Sequence, residues 1–224
     1  MERSDLKRAV AARMLSGVVA SGAIFFLTAG TFRYWEAWAF MVTLFTPMGF
    51  AFAYFLRHDP ELLGRRLQAT EERSQQRTLV AVASAAWLTE FVVPGLDHRF
   101  GWSSVPTAVV AVADVLVLLG YLLVLRVLAE NSYAARTVRV ETAQVLVTSG
   151  PYALVRHPMY AGITLMLLFA PLALGSYWAL IPALATPVLL ALRTLDEEKV
   201  LLQELPGYRA YMDATRNRII PGVW

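Results

Sequence analysis

The chain has no cysteine, which removes disulfides, thiolate metal sites and cysteine nucleophiles together. Histidine is scarce: His58, His98 and His157 are scattered and show no HExxH or other ligand spacing, so no metal site is expected. No GxGxxG loop follows a strand, which excludes the glycine-rich phosphate loop of a soluble Rossmann domain. No small-residue cleavage site precedes the second apolar run, so the start does not read as a cleaved signal peptide. Charged residues make up only 17% of the 224 positions and hydrophobic ones 57%. With a mean hydropathy of +0.51, the composition is too apolar for an ordinary soluble domain.

What is present is a series of long apolar runs. They cover roughly 14–31, 37–56, 79–95 (interrupted by Glu90), 105–129 (interrupted by Asp114 and Arg126), 160–174 and 177–192. The last two lie near or below the ~17 residues a perpendicular span needs, and Gly175-Ser176 joins them, so they read as a tight helical hairpin. The expectation is an all-α integral membrane protein with five to six transmembrane helices. Its first part, 1–128, holds four spans and a loop at 57–78. Its second, 129–224, holds the hairpin 158–193 and a C-terminal tail. Of the 20 basic residues, all but Arg33 and Arg99 fall on one side of this arrangement. The positive-inside rule makes that side cytoplasmic, together with both termini. An inner (plasma) membrane of a bacterium or archaeon is the expected location.

Between the spans, Asp59 and Pro60 read as the cap and first residue of a short helix. Its leucines among arginines fit an interfacial helix on anionic lipid, either a plain anchor or part of a substrate entrance. Glu90 and Asp114 lie inside spans, where an ionisable group is either functional or a polar contact between helices. From Glu130 the chain is polar and mixed, and it leads into the short β-branched run Gln144-Val145-Leu146-Val147-Thr148-Ser149, which reads as extended rather than helical.

The chemistry concentrates in Gly150-Pro151-Tyr152-Ala153-Leu154-Val155-Arg156-His157-Pro158-Met159-Tyr160-Ala161-Gly162. Pro158 suits the first position of a helix, which puts His157 at the N-cap and leaves the following N–H groups facing a ligand. Such a helix start suits an anion, Tyr152 and Tyr160 bracket the turn, and Gly162 permits a close approach to the backbone. In the tail, Arg193 and Glu197 stand four apart on one helix face. They are either an exposed ion pair or two arms of one pocket. Pro206-Gly207 ends that helix, Tyr208 and Tyr211 share a face, and Arg216 and Arg218 follow as anchor or lid.

The last hundred or so residues resemble the isoprenylcysteine carboxyl methyltransferase family, which groups with phospholipid N-methyltransferases. The resemblance rests on Leu146-Val147-Thr148-Ser149-Gly150-Pro151-Tyr152, then Arg156-His157-Pro158-Met159-Tyr160-Ala161-Gly162, then Arg193, Glu197-Glu198, Tyr208, Tyr211 and Arg218-Ile219-Ile220-Pro221. It implies a membrane enzyme that transfers a methyl group from S-adenosyl-L-methionine to the carboxylate of a lipophilic, isoprenylcysteine-like substrate. It further implies that Gln144, Val145, Leu146, Val147, Tyr152, His157, Pro158, Met159, Tyr160 and Glu197 hold the cofactor, and that Arg193 holds the acceptor. Gln144 stands where some eukaryotic members have histidine. Transfer to an ionised carboxylate requires alignment and exclusion of water more than a base. An amine acceptor would need one, with His157 or Glu198 the candidates. The rival readings are a phospholipid or other lipid N- or O-methyltransferase, an NADPH-dependent sterol-type reductase, and a small transporter or scaffold. Pro158 and Glu197-Glu198 favour the methyl donor over NADPH. The polar groups gather on one surface with no inverted repeat, which is unlike a transporter.

Overall fold

The computed structural model describes residues 3–68, 74–133 and 145–224. Among these there are helices and turns but no strand. The helices are α1 (Arg3–Ala29), α2 (Trp35–His58), α3 (Pro60–Gln68), α4 (Ser74–Phe100) and α5 (Thr107–Glu130). After a 3₁₀ turn at Gly150–Ala153 come α6 (Pro158–Ala173), α7 (Leu180–Ala183), α8 (Ala185–Glu204) and α9 (Tyr208–Ala214). Leu15, Leu27, Phe50, Val112 and Val188 are among many large apolar side chains left on the outside. That is the surface of a bundle whose solvent is lipid.

Among the described residues, three helices, α1, α2 and α5, are long and apolar enough to cross a membrane by themselves. The six-span expectation is met only in part. Helix α6 is apolar but has 16 residues, and α4 buries two acids, Glu90 and Asp97. The run expected as one helix over 177–192 is divided at Leu184 into α7 and α8. Pro182 and Pro187 flank the division, and each lacks the N–H that a continuous ladder needs.

The short helix starts as its sequence predicts. Pro60 is its first residue, and the Leu62 N–H donates to Asp59 Oδ1 at 2.9 Å. Asp59 Oδ2 also accepts from Ser132 Oγ at 2.5 Å, which ties this cap to the end of α5. Leu62 and Leu63 are buried against Leu6, Val10, Phe55 and Leu128. The α1 start, the α2 end and the α5 end therefore meet under α3, and Met159 at the α6 start packs there too.

At the opposite end, Asp97 is 1% exposed and accepts from Ser103 N (2.7 Å), Ser103 Oγ (2.5 Å) and Ser176 Oγ (2.5 Å). Tyr34 Oη donates to the Leu174 carbonyl at 2.5 Å, and its ring stacks on His98. This polar latch joins the α1–α2, α4–α5 and α6–α7 connections. Between the two ends, Phe25, Phe40 and Phe91 fill the core with ring centroids 5.8–6.0 Å apart.

Helices α5 and α6 touch backbone to backbone. A methyl group at Gly120 would stand 2.7 Å from the Gly162 carbonyl oxygen, and one at Gly162 would stand 2.7 Å from that of Gly120. The close approach read into Gly162 is thus made by a neighbouring helix. Small residues are what let helices in lipid come this near.

Candidate active site

Helix α6 begins at Pro158 with His157 at its N-cap, as the sequence predicts. What precedes it is fixed by the end of α5. Ser149 Oγ donates to Glu130 Oε1 at 2.5 Å, and Glu130 Oε2 pairs with Arg126 Nη1 at 2.5 Å. Gly150 has φ +58°, and a Cβ there would lie 2.8 Å from the Glu130 carboxyl carbon, so both backbone and space require glycine. Asn131 Nδ2 donates to Tyr152 Oη at 3.0 Å, and Tyr211 Oη donates to the Tyr152 carbonyl at 2.7 Å. The turn is held from α5 on one side and from α9 on the other.

The tail straps the turn from outside. Arg156 N–H donates to the Asn217 carbonyl at 2.9 Å and His157 N–H to that of Arg218 at 2.8 Å. The Arg156 guanidinium, almost wholly buried, gives Nε to Glu198 Oε1 at 2.7 Å. Its Nη1 donates to the carbonyls of Thr215 and Arg216, both at 2.7 Å. Arg218 Nε takes the other oxygen, Glu198 Oε2, at 2.9 Å. Burial alone would push the Glu198 carboxyl up. The nearby His157 ring and the hydrogen bonds from Arg156 and Arg218 outweigh it and hold the pKa at about 2. Between two guanidinium groups Glu198 is a strut, and a carboxylate held so acidic is a poor proton acceptor.

The second cluster lies on the facing sides of α6 and α8. Tyr160 Oη donates to Glu197 Oε2 at 2.5 Å and accepts from Arg193 Nε at 3.0 Å. Its ring lies parallel to that of His157, with centroids 5.6 Å apart. Arg193 and Glu197 do share a face, and the group they address is Tyr160. His157 Nε2 stands 3.4 Å from Glu198 Oε1, near enough for an ion pair when the ring is protonated, yet it makes no hydrogen bond. Tyr208 Oη, buried in the field of Glu198 and Glu197, also has no hydrogen-bond partner.

The structure therefore brings together His157, Pro158, Tyr160, Arg193, Glu197 and Glu198, with Tyr152 one layer behind. Other predicted residues stand apart. Met159 turns toward Leu62, Leu63 and Leu128 under α3. Leu146 packs on Tyr208 and Tyr211, Val147 is half-buried and Val145 is exposed. Gln144, and with it Arg136 and Arg139, lies outside the described residues. Residues 145–148 form no ladder. Sequence reasoning gave no site role to Arg156, Asn131 or Glu130, and read Arg218 only as anchor or lid. Of these, only Arg156 carried a signal: an arginine inside the His-Pro run, next to an apolar helix.

Residues 108–207 match the family model described as phospholipid methyltransferase. Compared by sequence with functionally curated proteins, the chain matches none. In fold it is similar to the eukaryotic intramembrane Ras methyltransferase ICMT (isoprenylcysteine carboxyl methyltransferase). The TM-score is 0.54 at 18% identity, covering 96% of this chain and 86% of that one. The matched region runs from the start of α5 to the break after α8 and contains the turn, the Tyr160, Arg193 and Glu197 cluster, and Arg156 and Glu198, but not the tail that straps them. Between the rival readings this favours a methyltransferase. Residues 108–207 thus resemble the phospholipid methyltransferase family, and the chain as a whole shares the fold of that intramembrane methyltransferase.

Proposed function

We propose that the chain transfers a methyl group from S-adenosyl-L-methionine to a lipophilic acceptor at the cytoplasmic membrane surface, and that the acceptor is the carboxylate of an isoprenylcysteine-like substrate. The observation that carries this is the Tyr160 hydroxyl held between Arg193 and Glu197, beside an α6 start whose His157 keeps an unbonded, buried Nε2. This donor set fits the cofactor. Glu197 suits an ammonium or ribose hydroxyl, and the tyrosines suit adenine or a sulfonium. Two buried polar atoms, His157 Nε2 and Tyr208 Oη, are available for a ligand. Bound there, the cofactor would supply a methyl group on a sulfonium. Arg193 would hold the acceptor carboxylate by its planar fork, and the strap of Arg156, Glu198 and Arg218 would keep the turn in place.

The matched family's name favours one second reading, an amine-bearing phospholipid as acceptor. An amine must shed a proton, and His157 Nε2 is the atom available to take it. Turnover with carboxylate-bearing against amine-bearing lipids separates the two.

The site is tested by titrating detergent-purified protein with S-adenosylmethionine, with NADPH as comparison. A carboxylate paired with the ligand's ammonium in a partly dry site is worth ~1.5–3 kcal/mol. Glu197→Gln is thus expected to bind roughly ten- to a hundredfold more weakly. A folded Glu197→Gln protein with wild-type affinity would sink the site. Orientation has its own check: tags at both termini should report as cytoplasmic and one in the stretch from Asp97 to Ser104 as exterior. An exterior C-terminus would remove the cytoplasmic site.

A further inference from the structure

Away from the reaction site, an apolar slot of about 300 Å³ opens between α1, α2, α3 and α5. That is the low end of the size range of small-molecule pockets, room for one chain and not for a folded head group. Its walls include Phe52, Leu67 and Leu125, and among the described residues its polar side chains are Arg13, Arg66 and Tyr121. No acidic residue lines it among the described residues. None of Arg193, Tyr160, Glu197 and Glu198 borders it, since all belong to α6 and α8.

Position and charge together specify an occupant. The slot lies where α1 begins and α2 and α5 end, beneath the amphipathic α3, which is the level of a membrane–water interface. Two guanidinium groups at the edge of an apolar slot match one phosphate above one alkyl chain. Anionic lipid is also what a basic face attracts at that depth. We infer that this slot is a binding site for an anionic phospholipid, its phosphate between Arg13 and Arg66 and one acyl chain beneath α3. The bound lipid would fasten α3 to the bundle on the side of the helices where Met159 packs. This inference does not depend on methyl transfer.

The experiment is native mass spectrometry of the detergent-purified full chain with added phosphatidylglycerol or phosphatidylcholine. Phosphatidylglycerol carries neither a carboxylate nor an amine, so its retention cannot be turnover of the proposed kind. Wild-type protein is expected to retain one phosphatidylglycerol with roughly ten- to thirtyfold preference over phosphatidylcholine. The variant Arg13→Gln/Arg66→Gln should lose that preference. A control that removes the same charge from exposed positions outside the slot, Lys7→Gln/Arg8→Gln, should keep it. Ala51→Leu, which fills the slot and leaves both arginines, should weaken retention of either lipid. Should the first variant fail to fold, Ala51→Leu and the control still decide. Full preference in the Arg13→Gln/Arg66→Gln protein, equal loss in the control, or undiminished retention in Ala51→Leu would each overturn the site.

Discussion

The two ends of the bundle hold themselves together differently. The far end is closed by one carboxylate with two hydroxyl donors and a backbone N–H: Asp97 takes three hydrogen bonds from Ser103 and Ser176. The site end is closed by ions, with Glu198 between Arg156 and Arg218 and the tail strapped over the turn. It also keeps unbonded polar atoms on His157 and Tyr208. One end is a latch for the fold alone. The other carries the fold and presents groups to a ligand, so damage to the two ends should have different signatures.

The largest effect is expected from Glu198→Ala. It strips the partner from the buried Arg156, and an uncompensated buried charge costs about 3–5 kcal/mol. The hydrogen bonds from the Arg156 and His157 N–H groups to the tail should loosen, so limited proteolysis after residue 214 should accelerate. The same group predicts an acid limit. Its folded pKa of about 2 lies below its ordinary value of 4.5, so the folded state binds fewer protons. The stability from Glu198 is complete above the ordinary carboxylate range and drains away as pH falls from about 4.5 toward 2. Denaturation in detergent across that window should show the wild type losing stability that Glu198→Ala never had.

Next in size is Asp97→Asn. An amide cannot accept from all three donors, and an unsatisfied buried group costs about 1–3 kcal/mol. Melting should fall while S-adenosylmethionine affinity per folded molecule stays unchanged. A large loss of affinity would mean that the ends are coupled and the contrast fails. The smallest effect is expected from Tyr160→Phe, which removes only the hydroxyl between Arg193 and Glu197 and keeps the ring over His157. One hydrogen bond to a charged group is worth about 1.5–3 kcal/mol, part of which a water restores. Ligand binding should weaken about five- to tenfold with melting nearly constant. Reduced melting with intact affinity would make Tyr160 a structural strut like Glu198.

Local grammar in the sequence foretold much of this. Asp59 capping ahead of Pro60, His157 ahead of Pro158, and Arg193 with Glu197 on one face are statements about neighbours within one helical turn. What escaped was non-local. Arg156 meets Thr215 and Arg216, some sixty residues along the chain, and no periodicity carries that information. Asp97 carried no local signal, because its partner Ser176 comes to it from a distant turn. The break at Leu184 was masked because apolar residues run across it, although the prolines on either side were in view. The space at Gly162 was legible, but whether a ligand or a helix fills it was not.

That last contact reaches beyond packing. With Gly120 and Gly162 touching through their backbones, α5 and α6 act as one ruler laid across the bilayer. Pro158 lies one helical turn from the contact, and Glu130 closes the same turn from the other helix. The height of the reacting groups is then counted in residues from that mark and does not follow lipid thickness. A thicker or thinner membrane would tilt the pair as a unit, and the site would keep its shape while moving against the surface. Adjustment to a different membrane is left to the helices that carry no part of the site, α1, α2 and α4.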